Sequence, residues 1–167
     1  MSQTLKVGFV SLGCPKNQLD AEVMLHELYD AGFEIVSEDI DADVVIVNTC
    51  AFIESAKQES IDNIIDIGWL KKNRQLKGIV VTGCLAERYR DAIFDELPEV
   101  DAVLGVGSIH EIVNAVKSAA KGKRYSSYLD KDCVRLGGER IITTPGYYAY
   151  LKIAEGCGNR CTYCAIP

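Results

Sequence analysis

The chain has 167 residues, 48% of them apolar and 25% charged, which suits one compact core that folds without staples. A formal charge of −6 and a pI near 5.0 leave no basic face for gripping a nucleic-acid backbone. The sequence holds no 20-residue apolar run or signal-peptide pattern, so a cytoplasmic protein with no membrane partner is expected. Its seven cysteines, an odd number without a secretory leader, argue against a disulfide framework and for metal or redox chemistry.

Residues 5–12 (LKVGFVSL) read as a buried strand stopped by Gly13, with Cys14 directly after it. From Asn17 to Ala31, the apolar positions Leu19, Val23, Met24, Leu28 and Ala31 follow a helical stripe, and Gly32 supplies the stop. Strands are expected at 33–36 and 43–48. The residues between those two strands are too few for a helical crossover, which leaves their pairing open. A long helix over 53–74 is marked by Ile53, Ala56, Ile61, Ile64, Ile65 and Gly68, with Lys71, Lys72 and Arg74 at its negative end.

A strand at 78–82 (GIVVT) precedes a helix near 87–97 expected to bury Tyr89, Ile93, Phe94 and Leu97. Pro98 then turns the chain into a short strand at 102–104. Ser108 and Glu111 have capping-box spacing, so a last helix is expected to run from there to Gly122. Residues 123–146 mix charge with Gly137–Gly138 and Pro145–Gly146, as in a linker or a hairpin between two domains, and 147–154 (YYAYLKIA) reads as a further strand. The order implies an α/β fold with a doubly wound, mostly parallel sheet over 1–122, a linker over 123–146 and the start of a second unit at 147–167.

Cys14, Cys50 and Cys84 each follow a strand, in SLGC, VNTC and VTGC, at separations of 36 and 34 residues. Ligands of such sheets sit beyond the carboxyl ends of the strands, so the three thiols are expected to converge at one rim. Gathered thiolates repel unless a cation or cluster neutralises them, and an iron–sulfur cluster with three protein ligands fits. The competing reading makes each cysteine small core filler at a tight turn.

Cys157, Cys161 and Cys164, in EGCGNRCTYC, have C-x3-C-x2-C spacing. Three thiolates within eight residues can wrap one face of a four-iron cluster and leave one iron open to the amine and carboxylate of S-adenosylmethionine (SAM), whereas zinc prefers a closed set of four. A Cys161/Cys164 redox pair is the plainer alternative, but it leaves Cys157 unexplained. Cys133 has no partner at ligand spacing and reads as incidental; His26 and His110 read as surface helix residues. Lys16, Asn17, Asn48, Thr49 and Thr82 lie where they could either support a cluster by hydrogen bonds or simply form the turns.

SLGCPKN at 11–17, VNTCAFIESAKQESI at 47–61, VTGCLAERY at 81–89 and AYLKIAEGCGNRCTYCAIP at 149–167 together resemble the radical-SAM methylthiotransferases over nearly the whole chain. CPKN at 14–17 with the elements at 52–61 is similar to the branch that modifies an aspartate of a small-subunit ribosomal protein. Ala51 stands where that branch commonly has Gly, and Tyr147 where it often has His. The resemblance implies that Cys157, Cys161 and Cys164 hold a SAM-binding 4Fe-4S cluster. It implies that Cys14, Cys50 and Cys84 hold an auxiliary 4Fe-4S cluster carrying the sulfur to be transferred.

It further implies two SAM molecules per product, one donating the methyl group and one cleaved reductively by electrons from an external donor to start radical chemistry at the substrate carbon. Radical chemistry is needed because an unacidified C–H bond is out of reach of side-chain acids and bases. With the sequence ending at Pro167, the SAM-cradling barrel is expected to be truncated and the chain inactive alone. The alternatives are a tRNA adenosine methylthiotransferase and a non-catalytic metal- or nucleotide-binding α/β module.

Overall fold

The computed structural model describes residues 4–37, 41–73, 76–130, 138–154 and 156–164. The expectations for Arg74, Cys133 and Gly137 lie outside them. Six parallel strands form one sheet in the order β2-β1-β3-β4-β5-β6: β1 Lys6–Ser11, β2 Glu34–Val36, β3 Val44–Thr49, β4 Gly78–Gly83, β5 Ala102–Leu104 and β6 Tyr125–Ser127. The helices are α1 Pro15–Asp30, α2 Glu54–Asn73, α3 Cys84–Tyr89, α4 Ala92–Glu96 and α5 Ile112–Ala119, with a 3-10 turn at Val106–Glu111.

The central strands β3 and β4 are buried along their whole length, as near-continuous apolar runs must be when helices cover both faces. Their side chains divide by parity. Val45, Val47, Ile79 and Val81 pack with Ile64 and Ile67 of α2 and with Leu85, Ile93 and Phe94 of α3 and α4. Val44, Ile46 and Val80 pack with Met24 and Leu28 of α1 and with Ile112, Ala115 and Val116 of α5. The sheet is therefore doubly wound, as the strand–helix order predicts.

The open question of the strands at 33–36 and 43–48 resolves through register. Both pair with β1, on its two sides: Gly8 lies opposite Val36, and Val7 opposite Val44. β2 thus stops almost level with the start of β3 on the opposite side of β1, two strand spacings or about 10 Å away.

Several local expectations are corrected. The helix expected at 87–97 is two short helices, because Arg90 adopts φ 46°, a left-handed backbone that ends α3 before α4 begins. Tyr89 is consequently left partly exposed, beside Arg88. On α2 the buried residues are Ser60, Ile64, Ile67 and Gly68, while Ile53 and Ile65 face solvent. Lys71 and Lys72 at its end reach acids: Lys71 Nζ lies 2.6 Å from Asp101 Oδ2, and Lys72 Nζ 2.8 Å from Glu99 Oε1.

Ser108 and Glu111 make no capping box. The Ser108 hydroxyl instead accepts from the Leu129 amide, and Glu111 accepts from Asn114 and from the Tyr125 hydroxyl, so α5 starts only at Ile112. Those bonds tie down residues 125–129, where a sixth strand lies in the segment expected to be a linker.

Residues 147–154 form no strand, since none of the described residues pairs with them. Side chains rather than a ladder hold the tail to α1. Buried Glu22 accepts from the Thr143 amide and hydroxyl and faces Arg140 at 3.3 Å, while Lys152 Nζ lies 2.6 Å from Asp20 Oδ1.

Gly78, at the start of β4, has α5 pressed against it: a Cβ there would meet the Ala119 carbonyl oxygen at 2.6 Å. Because the obstacle is backbone, Gly78→Ala is expected to destabilise the chain by about 1–3 kcal/mol, read as a lower urea midpoint at unchanged slope.

Candidate functional site

Register brings the three strand-end cysteines together. Ser11 pairs with Asn48, Asn48 with Thr82, and Thr49 with Gly83, so Cys50 and Cys84 leave the sheet at the same level in neighbouring strands. Cys14 comes one residue later after its strand. The extra residue, Gly13, is taken up by a turn at φ 110°, and Cys14 is the extended N-cap residue of α1 ahead of Pro15.

The glycines before Cys14 and Cys84 are steric requirements of this convergence. A Cβ on Gly13 would lie 2.9 Å from Cys50 Cβ and 3.3 Å from Cys50 Sγ. A Cβ on Gly83, at φ 90°, would lie 2.5 Å from the Thr49 carbonyl oxygen. An L side chain is disfavoured at both positions by φ and by space. The sheet's switch point, where β1 sends neighbours to either side, thus carries thiols from β1, β3 and β4.

Cys14 is exposed, Cys84 half-buried and Cys50 buried, and none is in a disulfide. Burial pushes the Cys84 thiol above its ordinary pKa, helped by the charges of Cys50, Cys14 and Asp20 and opposed by Lys16. Cys50 and Cys14 are therefore near enough to Cys84 to act on its thiol. Among the described residues, ligand atoms of His26, Asp30 and Glu139 lie within 4.8 Å of one another, whereas the three rim sulfurs do not all fall within that distance.

The polar residues beside the cysteines fasten the loops. Asn17 Nδ2 donates to the Leu12 and Thr49 carbonyls, Asn48 Nδ2 donates to the Asn17 carbonyl, and Thr49 Oγ1 donates to the Thr82 carbonyl. The turn-forming alternative therefore describes Asn48 and Thr49, whereas Asn17 fastens a turn and also accepts from the Cys84 thiol at 3.8 Å. Thr82 Oγ1 and Asn48 Oδ1, each two residues before a rim cysteine, are buried with no hydrogen-bond partner, an incomplete polar setting beside the thiols.

The second trio is differently placed. Cys157 and Cys161 are exposed and Cys164 half-buried, on a turn where the Cys164 amide donates to the Cys161 carbonyl. Fixed secondary structure frames the first trio and not the second. His26, half-buried on α1, lies 3.1 Å from Glu139 and 3.7 Å from Asp30, a role in holding the tail that its sequence setting did not announce. His110 lies in the 3-10 turn, paired with Glu27.

Such a domain, a doubly wound parallel sheet with three thiols at its switch point, has known counterparts. The chain belongs to the family described as Uncharacterized protein family UPF0004, whose model matches residues 6–105 and so spans β1 to the end of β5 with all three rim cysteines. It is 51% identical over 162 residues to "Ribosomal protein uS12 methylthiotransferase RimO" of Thermoanaerobacter sp. (strain X514), and 54% identical over 162 residues to the protein of that name from Caldanaerobacter subterraneus subsp. tengcongensis. The Clostridioides difficile (strain 630) protein of the same name is 49% identical over 164 residues. These alignments take in 96%, 96% and 98% of the chain, which spans only 37% of each relative's length. No helix among the described residues is long and apolar enough to cross a membrane.

With metal absent, exposed Cys14 is expected to alkylate about ten-fold faster than Cys84, whose thiolate is disfavoured. The pH of half-maximal Cys84 labelling should lie above that of a free cysteine. The same raised value means that whatever stability the neutral Cys84 thiol contributes is present below the ordinary thiol pKa and lost as pH rises through the folded-state value. Peptide mapping after timed iodoacetamide treatment reads both effects.

Proposed function

We propose that the chain is the N-terminal portion of a radical-SAM methylthiotransferase. Cys14, Cys50 and Cys84 hold its auxiliary 4Fe-4S cluster, and Cys157, Cys161 and Cys164 its SAM-binding 4Fe-4S cluster. The carrying observation is the convergence of three thiols from three strand ends at positions where glycine leaves room for nothing larger. The relatives' names support methylthio transfer, and we take the substrate to be the β-carbon of an aspartate in ribosomal protein uS12.

The donor set fits the proposed group. Three soft thiols, one from each strand end, would leave one iron of a four-iron cluster without a protein ligand. When bound, the two clusters and SAM supply reductive cleavage of SAM and a carrier for the sulfur. The chain's own contribution is geometric and electrostatic. Its sheet fixes Cys50 and Cys84 in register, α1 presents Cys14 from its N-terminal end, and Lys16 places positive charge near Cys84.

The tail's attachment through Glu22–Arg140 and Asp20–Lys152 keeps the segment leading to the second trio against the helix that carries Cys14. An external electron donor and SAM complete the reaction, and the acidic net charge gives tRNA less to recommend it as substrate than a ribosomal protein.

In the full-length protein, Cys14→Ala, Cys50→Ala or Cys84→Ala should abolish methylthio transfer to the ribosomal protein yet leave reductive SAM cleavage in place. Mass-shift analysis of the substrate and chromatography of 5′-deoxyadenosine measure the two separately. Wild-type transfer by any of the three variants would remove the assignment, and transfer to tRNA instead of the ribosomal protein would redirect the substrate.

A further inference from the structure

The rim thiols sit at three separate strand ends, and nothing in the cysteines themselves brings those segments together before a cluster arrives. One side chain touches all three. Asn17, only 4% exposed in the first turn of α1, donates from Nδ2 to the Leu12 carbonyl at 3.0 Å, in the loop that carries Cys14. The same nitrogen donates to the Thr49 carbonyl at 2.7 Å, next to Cys50. Its Oδ1 lies 3.8 Å from Cys84 Sγ and accepts from that thiol. Its own backbone carbonyl accepts from Asn48 Nδ2 at 2.7 Å, closing the linkage from the β3 side.

We infer that Asn17 is the positioning residue that sets the spacing of the Cys14, Cys50 and Cys84 loops for the cluster, an inference that rests on the function proposed above. No other side chain offers this combination at this length. The two carbonyls require two N–H donors on one nitrogen, and in the metal-free chain the protonated Cys84 thiol requires an acceptor on the same planar group. Aspartate has the shape without the donors and would aim a negative charge at the thiolates. Glutamine is one methylene longer in a space where Asn17 Nδ2 already lies 3.1 Å from the Cβ position of Gly13. Asn17 is thus a support of the site and no ligand of it.

The test uses the 167-residue chain carrying Cys133→Ala, Cys157→Ala, Cys161→Ala and Cys164→Ala, so that only the rim thiols remain. It is loaded anaerobically with ferrous iron and sulfide, then assayed for iron per chain, rate of iron loss to a chelator, reduction potential and far-UV circular dichroism. If this parent binds no iron, the cluster assignment itself fails. If it does, Asn17→Ala and Asn17→Asp should keep the parent's dichroism, bind less than half its iron and release the remainder about ten-fold faster.

Asn17→Asp should also have a lower potential than Asn17→Ala, because its carboxylate adds negative charge beside the cluster. Asn48→Ala, which removes only the bond to the Asn17 carbonyl, should fall between parent and Asn17→Ala in release rate. Loading, release and potential equal to the parent's would overturn the inference. Loss of the dichroism in the Asn17 variants would overturn it as well, because the residue would then serve the fold at large.

Discussion

The parallel register of β1, β3 and β4 is the constraint on which the molecule turns. It sets Asn48 beside both Ser11 and Thr82, and it lets three loops leave the sheet at nearly one height. Hydrophobic burial fixes that register, since β3 and β4 alternate between two packed helical layers and a slip of one residue would exchange their faces. The thiols are therefore located by the core beneath them, at a distance from it, and their loops are left free to differ. One solves the approach with Gly13, one with Gly83 and one, after β3, with Thr49.

Much of this was written in the sequence because it depends on short-range pattern. The strands ending at Ser11, Thr49 and Gly83 are apolar runs closed by glycine or a polar turn, and a cysteine stands directly beyond the last two and three residues beyond the first. What escaped depends on partners distant in the chain. The relation of β2 to β3 follows from where a three-residue strand stops against β1, which no local pattern encodes. β6 is a Tyr-Ser-Ser segment with little apolar signal, held by edge pairing to β5 and by a hydroxyl from Ser108, the residue whose spacing suggested a helix cap.

The break at Arg90 was hidden for another reason, since neither glycine nor proline marks it. The tail misled in the opposite direction. YYAYLKIA has strand-like composition, but a strand needs a neighbour, and here Lys152 and Arg140 instead find carboxylates on α1. The roles of Asn17 and Asn48 were half legible. Their position beside cysteines is local, whereas the carbonyls of Thr49 and Asn17 that their amides grip lie about thirty residues away along the chain.

The attachment of the tail gives α1 a mechanical character. Asp20 and Glu22 are fastened less than two and a half turns from Cys14, on a helix stiff over about 24 Å. Cys14 is thus the one rim thiol whose own helix also carries the tail, while Cys50 and Cys84 stand at the ends of β3 and β4, so the tail and the rim meet through α1.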